Sequence, residues 1–284
     1  MFVLFQYLLP QHALSRLVGW MTRVRTPWFK NLVIGLFVRG YRPDMSDAVE
    51  TDPWQFASFN EFFTRSLRAA TRPLGDARTQ ILSPVDGTIS ELGRIDDDRL
   101  LQAKKRNYTL LDLLAGDADT AEKFRGGEFA TIYLAPYNYH RIHMPADGRL
   151  VESVYVPGRL FSVNRTTVDQ VPRLFARNER VICRFASDGG PFAVILVGAL
   201  NVGSMDTIWH GHIAPRRPRR LAQLPVSPLL AAAAAAAGDE LGRFNMGSTV
   251  ILLFPPGHCS WRGDLATGKT VRMGEPLAQK NHGS

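Results

Sequence analysis

With 284 residues, 45% of them hydrophobic and 21% charged, the chain has the composition of an ordinary folded protein, long enough for one large domain or two small ones. A net charge of +8 favours anionic partners (nucleic acid, phospholipid headgroups or phosphorylated substrates) without choosing among them. Only two cysteines occur, Cys183 and Cys259, in a spacing that excludes a cysteine-built metal or redox site and suits two buried, inert thiols in a reducing compartment.

The N-terminus differs from the rest. Apolar runs (Met1 to Phe5, Leu32 to Val38) alternate with isolated cations at Arg16, Arg23, Arg25, Lys30 and Arg39, and no acid precedes Asp44. Leu14, Leu17, Val18 and Met21 fall at helical spacing and give that segment one apolar face. No uninterrupted apolar stretch reaches the roughly 20 residues a membrane span needs. The first charge follows the first apolar run instead of preceding it, which argues against a cleaved signal peptide. Two readings stay open: a pair of helices packed on the core, and an interfacial anchor whose cations meet anionic lipid.

Further along, Asn60 to Leu67 and Thr109 to Leu114 are the clearest helix signals. From about residue 81 to 254 the pattern is one of strands: Thr131 to Leu134, Leu150 to Val156, Val181 to Phe185, Ala193 to Val197, and Val250 to Phe254, which stops at Pro255-Pro256. The expected fold is therefore α+β, a β-rich core behind a helical N-terminal segment, with boundaries at 1–45 and 46–284. Pro84-Val85-Asp86-Gly87 and Pro145-Ala146-Asp147-Gly148 are near copies. Pro-x-Asp-Gly is a common turn, so coincidence is favoured over two related hairpins in one sheet system. Residues 214–238, with Pro215-Arg216-Arg217-Pro218-Arg219-Arg220 and the Ala231 to Ala237 tract, read as an exposed loop. A lipid-phosphate contact by the arginines is the minor alternative.

Tyr139-His140-Arg141-Ile142-His143-Met144-Pro145 places two histidines three apart. No glutamate lies between them and no third ligand is marked, so a zinc site is poorly supported; proton transfer fits as well. His210 and His212 read as exposed or structural. Phe244-Asn245-Met246-Gly247-Ser248-Thr249 leads directly into an apolar strand, without the Gly-x-Ser-x-Gly elbow of an α/β-hydrolase. The glycine admits backbone geometries that bring the Ser248 hydroxyl onto the Gly247 carbonyl. With a histidine taking the proton, attack converts the amide to an ester. Elimination then leaves dehydroalanine, which hydrolyses to a pyruvoyl group. Asp86, His143 and Ser248 are the three residue types required for a carboxylate to orient a histidine that activates a hydroxyl.

These residues and their surroundings resemble the bacterial phosphatidylserine decarboxylase family. The matching pieces are Phe59-Asn60-Glu61-Phe62-Phe63, Pro84-Val85-Asp86-Gly87, Tyr139 to Pro145, Pro157 to Asn164, Phe175 to Arg180 and Gly247-Ser248-Thr249. They follow the family's order over nearly the whole chain; only the Pro/Arg-rich and polyalanine segment departs from it. The resemblance implies autocatalytic cleavage between Gly247 and Ser248, assisted by Asp86 and His143, into chains 1–247 and 248–284. The pyruvoyl group made from Ser248 is the implied cofactor, with no metal. It would hold the substrate amine as a Schiff base while carbon dioxide leaves.

The resemblance also implies a part for His140 in decarboxylation, although spacing alone does not rank it against His143. Phe161 and Ser162 are candidate headgroup contacts. The implied partners are phosphatidylserine, an anionic membrane surface and a second protomer, with no nucleic acid. The implied location is the cytoplasmic face of a bacterial membrane, as a peripheral protein. Two rivals share parts of the pattern: a pyruvoyl enzyme acting on a soluble amino acid, and a membrane-associated scaffold in which Ser248 is structural.

Overall fold

The computed structural model describes residues 2–103, 106–200, 204–214, 220–226, 234–245 and 248–281. Its N-terminal part forms three helices where the sequence suggests two: α1 (Phe2–Leu8), α2 (Gln11–Met21) and α3 (Pro27–Tyr41). Pro10 and Pro27 mark the divisions, because proline cannot donate to a continuing helix yet fits its first turn.

α3 packs through Ile34 and the flanking Val33, Phe37 and Val38 onto Phe59, Phe62 and Phe63 of α4 (Phe59–Phe63). Its outer face leaves Trp28, Leu32 and Leu36 exposed, one helical turn apart. α4 is shorter than the Asn60 to Leu67 signal. It starts on a capping box, the Ser58 hydroxyl accepting the Glu61 N–H at 3.2 Å.

α1 and α2 are turned inside out relative to ordinary surface helices. Their buried side chains include the polar Gln6, Gln11, His12 and Ser15, while Leu8, Leu17 and Trp20 face outward. The buried amides serve a loop that has no strand partner. Gln6 Oε1 accepts the Ser162 N–H at 2.8 Å, and Gln11 Oε1 accepts the Leu160 N–H at 2.9 Å. His12 Nε2 lies 2.9 Å from the Gly158 carbonyl oxygen. Burial of Gln6, Gln11 and His12 is tolerable because each is hydrogen-bonded.

The core is a large antiparallel sheet in which Gly148–Val156, Arg180–Ser187, Gly190–Val197, Thr249–Phe254, Glu128–Tyr133 and Gly87–Arg94 are successive neighbours. Thr249–Phe254 is buried along its whole length, as its unbroken apolar run requires. Thr109 caps a short helix, Leu110–Leu113, at the second predicted helix signal. Both cysteines are buried and unpaired, and burial pushes each thiol up to about 12.

Two expectations are corrected. Parts of 214–238 are strand: Ala222–Leu224 and Ala234–Ala235 both pair with Gly148–Val156. Tertiary pairing thus overrides the helical preference of alanine. Pro215 to Arg219 and Ala231 to Ala233 lie outside the described residues, and with them the lipid-phosphate reading of those arginines.

The second correction concerns the Pro-x-Asp-Gly echo, which marks an internal duplication. The strand Gln80–Leu82 pairs with Pro276–Lys280 as Arg141–His143 pairs with Glu240–Phe244, and each ladder carries a bulge at the same place. Thr270–Val271 lies on Thr88 and Gly87 as Ala234–Ala235 lies on Arg149 and Gly148. The two units are clasped by reciprocal bonds, Leu82 N–H to Pro145 O at 2.9 Å and His143 N–H to Pro84 O at 2.8 Å. Coincidence does not reproduce register, bulge and clasp together.

Candidate active site

Ser248 sits one residue before the strand Thr249–Phe254, and its carbonyl accepts the Leu134 N–H at 2.9 Å. That bond extends the ladder pairing Thr249 with Tyr133 and fixes Ser248 to the sheet. The residue is fully buried, and its hydroxyl has no hydrogen-bond partner among the described residues. An orphaned buried hydroxyl costs on the order of 1–3 kcal/mol; Ser15 and Thr249 also carry one, so what distinguishes Ser248 is its place directly after Gly247.

Gly247 and Met246 lie outside the described residues. The chain before them is pinned: Phe244 donates its N–H to the His140 carbonyl at 3.0 Å. Asn245 donates through Nδ2 to Ser204 Oγ (3.0 Å) and Asp206 Oδ1 (3.1 Å), and its Oδ1 accepts from Asn60 at 3.1 Å. The chain is therefore anchored on both sides of residues 246 and 247.

The two histidines differ in their surroundings. His140 is fully buried, with its ring centroid 4.1 Å from that of Phe63. Its Nδ1 lies 2.8 Å from the Asn138 carbonyl, so Nδ1 carries the proton and Nε2 is a bare lone pair without a partner among the described residues. Burial drives its pKa down to about 3.

His143 has both nitrogens engaged. Nδ1 lies 2.7 Å from the Gly238 carbonyl and must donate to it; Nε2 then accepts from the Tyr139 hydroxyl at 2.9 Å. Burial lowers its pKa, opposed by the Gly238 bond and by the charges of Glu240 and Asp86. Both rings are thus neutral and able to take a proton.

Asp86, in the turn that opens the strand Gly87–Arg94, directs its carboxylate elsewhere. Arg72 holds it in a fork at 3.0 and 2.6 Å, and the Met273 N–H adds a third bond at 2.8 Å. Arg72 also reaches Asp47 at 2.7 Å. Burial works against the guanidinium, but the bonds and charges of the two carboxylates outweigh it and raise its pKa. Asp86 and His143 share one junction, since His143 N–H bonds to Pro84, two residues before Asp86. The orienting contact on His143 nevertheless comes from Gly238.

A cavity of about 180 Å³ is lined by Phe37 and Tyr41 of α3, Phe63, Tyr133, Leu134 and Ser162 among others, and neither Ser248 nor His140 is part of its wall. Phe63 connects it to His140, and Leu134 to Ser248. Of the two candidate headgroup residues, Ser162 lines this cavity. Phe161 does not line it; it is fully buried, its ring tilted against that of Tyr7 at 4.8 Å with the Arg159 and Arg177 guanidiniums over it.

Sequence reasoning did not single out Arg72, Tyr139 or Gly238. Nor did it notice Arg65, a buried cation whose bonds to the carbonyls of Asp44 and Tyr137 are long, at 3.4 Å. The signal that could have found Gly238 is a second echo, Gly238-Asp239-x-Leu241 against Gly274-Glu275-x-Leu277. Among the described residues, no three His, Cys, Asp or Glu side chains converge as a metal site.

Comparison with known proteins identifies the family. A family profile described as phosphatidylserine decarboxylase matches residues 59–279, and a second, described as PSD, matches residues 1–42. The phosphatidylserine decarboxylase proenzyme of Ectopseudomonas mendocina is 50% identical over 277 residues, covering 98% of this chain and 97% of the relative. That of Methylococcus capsulatus is also 50% identical over 277 residues, covering 98% and 96%. The proenzyme of Alkalilimnicola ehrlichii is 55% identical over 247 residues, covering 87% of this chain and 85% of the relative.

Proposed function

This chain belongs to the phosphatidylserine decarboxylase family, and from that premise we propose that it converts phosphatidylserine to phosphatidylethanolamine and carbon dioxide after making a pyruvoyl group from Ser248. The observation that carries the reading is the buried Ser248, directly after Gly247 and held on the sheet at the start of a buried strand, its hydroxyl without a partner among the described residues.

In self-cleavage, Ser248 Oγ attacks the Gly247 carbonyl carbon while a neutral histidine takes the hydroxyl proton. Collapse breaks the Gly247–Ser248 C–N bond and forms an ester. Loss of the Ser248 α-proton expels the Gly247 carboxylate, ending chain 1–247 and leaving dehydroalanine. Tautomerisation and hydrolysis then release ammonia. His143 is the base for this step, its tautomer already set with Nε2 basic; the Tyr139 hydroxyl must release that nitrogen or relay the proton. Asp86, neutralised by Arg72, fixes the turn on which His143 is clasped.

The pyruvoyl group supplies an electron sink next to the substrate amine. The residues around it fit that use. Ser248 and His140 are both buried, and the His140 Nε2, without a partner among the described residues, can carry a proton to the product carbon. The α3-lined cavity admits a headgroup past Ser162.

The N-terminal segment through residue 45 is the membrane-docking unit, and 46–284 the decarboxylase unit. Support comes from the outward apolar side chains: Leu8, Leu17 and Trp20 on α1 and α2, whose inner faces are polar, and Trp28, Leu32 and Leu36 on α3. No described helix is long and apolar enough to cross a membrane. An apolar face lying in the headgroup layer of the cytoplasmic leaflet, in a bacterial cell, is the corresponding location. The family resemblance carries the further reading of a homodimer of cleaved protomers, which sedimentation of the cleaved protein tests.

Denaturing mass spectrometry tests the central claim. The active protein should separate into 1–247 and a 37-residue piece, 248–284, with a blocked N-terminus. A single full-length species from an active sample overturns it, and Ser248→Ala should yield that species by design.

A further inference from the structure

The two copies of the duplicated unit act as controls on each other, separating what the fold needs from what the chemistry needs. In the first copy, the Asp86 carboxylate accepts the Met273 N–H at 2.8 Å. In the second, the Asp147 carboxylate accepts the Ala237 N–H at 2.7 Å. Each bonded N–H precedes a glycine in the left-handed region, Gly274 at φ +86° and Gly238 at φ +88°. Each glycine N–H bonds the matching carbonyl, of Ser83 or Met144, at 2.9 Å. Leu74 lies against both, so a β-carbon on Gly238 would come within 2.5 Å of it and one on Gly274 within 2.8 Å.

The copies differ in what the glycine carbonyl does. Gly274 O accepts a backbone N–H, from Gly75 at 3.0 Å. Gly238 O accepts the imidazole of His143 at 2.7 Å, and the first-copy counterpart of His143 is Leu82. A carbonyl can only accept, so its position decides which ring nitrogen of His143 bears the proton.

We propose that Asp147 is a positioning residue for His143: by holding the Ala237 N–H it fixes the Ala236 to Asp239 turn, whose Gly238 carbonyl sets the His143 tautomer and ring orientation. The inference rests on the reading of His143 as the base of self-cleavage. Asp147 touches neither His143 nor Ser248, and it is exposed, on a cleft of about 760 Å³ shared with Arg78, His258 and Lys280. The turn is closed from both sides: Asp239 Oδ2 accepts the Ala236 N–H at 2.8 Å, and the Asp239 N–H bonds the Ala236 carbonyl at 3.0 Å. Among the described residues, Asp147 adds a side-chain tie between this turn and the segment that joins Arg141–His143 to Gly148–Val156, beside the His143 bond itself and the backbone bonds of Met144.

The test uses the full chain made by cell-free synthesis, with cleavage followed by intact mass. In parallel, the ¹⁵N resonances of His143 are read in the Ser248→Ala chain, which stays whole. Asp147→Ala should slow cleavage by about tenfold, as a loosened catalytic base does, and should mix the two His143 tautomers. Asp147→Asn keeps an oxygen acceptor for the Ala237 N–H and should restore both readouts to within about twofold of the parent.

Cleavage at the parental rate in Asp147→Ala overturns the proposal. So does slow cleavage with an unchanged His143 signature, or failure of Asp147→Asn to rescue. If Asp147→Ala does not fold, Asp147→Ser is judged by the same criteria. A parent chain that never cleaves refutes the functional reading instead, and the tautomer comparison still decides the positioning claim.

Discussion

Arg72→Met removes the cation that holds Asp86, and the structure sets the size of the loss. Three charge-assisted contacts disappear, two to Asp86 at 3.0 and 2.6 Å and one to Asp47 at 2.7 Å. Asp86 keeps only the Met273 N–H, and two carboxylates that shared one guanidinium are left facing each other. Removing one member of a buried ion pair costs roughly 3–5 kcal/mol. Because the Arg72 and Asp86 side chains keep 8% and 11% exposure, the lower end applies, about 3 kcal/mol. With a urea slope of about 3 kcal/mol per molar, the midpoint should fall by about 1 M. The measurement belongs in the Ser248→Ala background, where the chain is single and unfolding is not complicated by cleavage. Arg72→Lys keeps the charge but loses the fork, and should fall between the two. A midpoint unchanged by Arg72→Met refutes the view that this pair holds the Asp86 turn in place.

Acid should weaken the fold through its histidines. Burial holds His140 down at about 3, below its ordinary 6.5, so the unfolded chain takes up the proton first as the pH falls. Stability is then lost from about pH 6.5 downward, by up to about 1.4 kcal/mol per pH unit. His143 and His258, also lowered by burial, act with the same sign. His140→Gln should flatten the dependence of the urea midpoint on pH in that window, and an unaltered slope counts against a neutral buried His140. Asn245→Ala, which frees the upstream anchor from Ser204, Asp206 and Asn60, should slow self-cleavage by about tenfold or more in intact-mass time courses; parental kinetics would show that the anchor is irrelevant. Replacing Trp28, Leu32 and Leu36 together with serine should weaken sedimentation with anionic vesicles by more than about a hundredfold, at about 1.5 kcal/mol per buried side chain, with the urea midpoint unmoved. Undiminished vesicle binding removes the membrane role of α3.

The sequence by itself determined the fold class, the principal strands and the family, and it supplied the residues proposed here for the cleavage site. These depend on local pattern: unbroken apolar runs such as Val250 to Phe254 make buried strands whatever surrounds them, and short motifs such as Gly247-Ser248 and His140-Arg141-Ile142-His143 carry their chemistry in adjacent residues. It also held the Pro-x-Asp-Gly echo, but one turn motif repeated is weak until pairing, bulge and clasp can be compared residue by residue. Only the tertiary structure decided which way the amphipathic helices face. Helical spacing places Leu14, Leu17, Val18 and Met21 on one side of α2 but cannot say that Gln11 and His12 turn inward, because that depends on the backbone groups of Gly158 and Leu160 that they bond in a distant loop. It alone showed, too, that a carbonyl 95 residues away orients His143, while the expected carboxylate of Asp86 is committed to Arg72. Hydrogen-bond partners across a sheet junction are set by which strands meet, and that is a property of the folded chain.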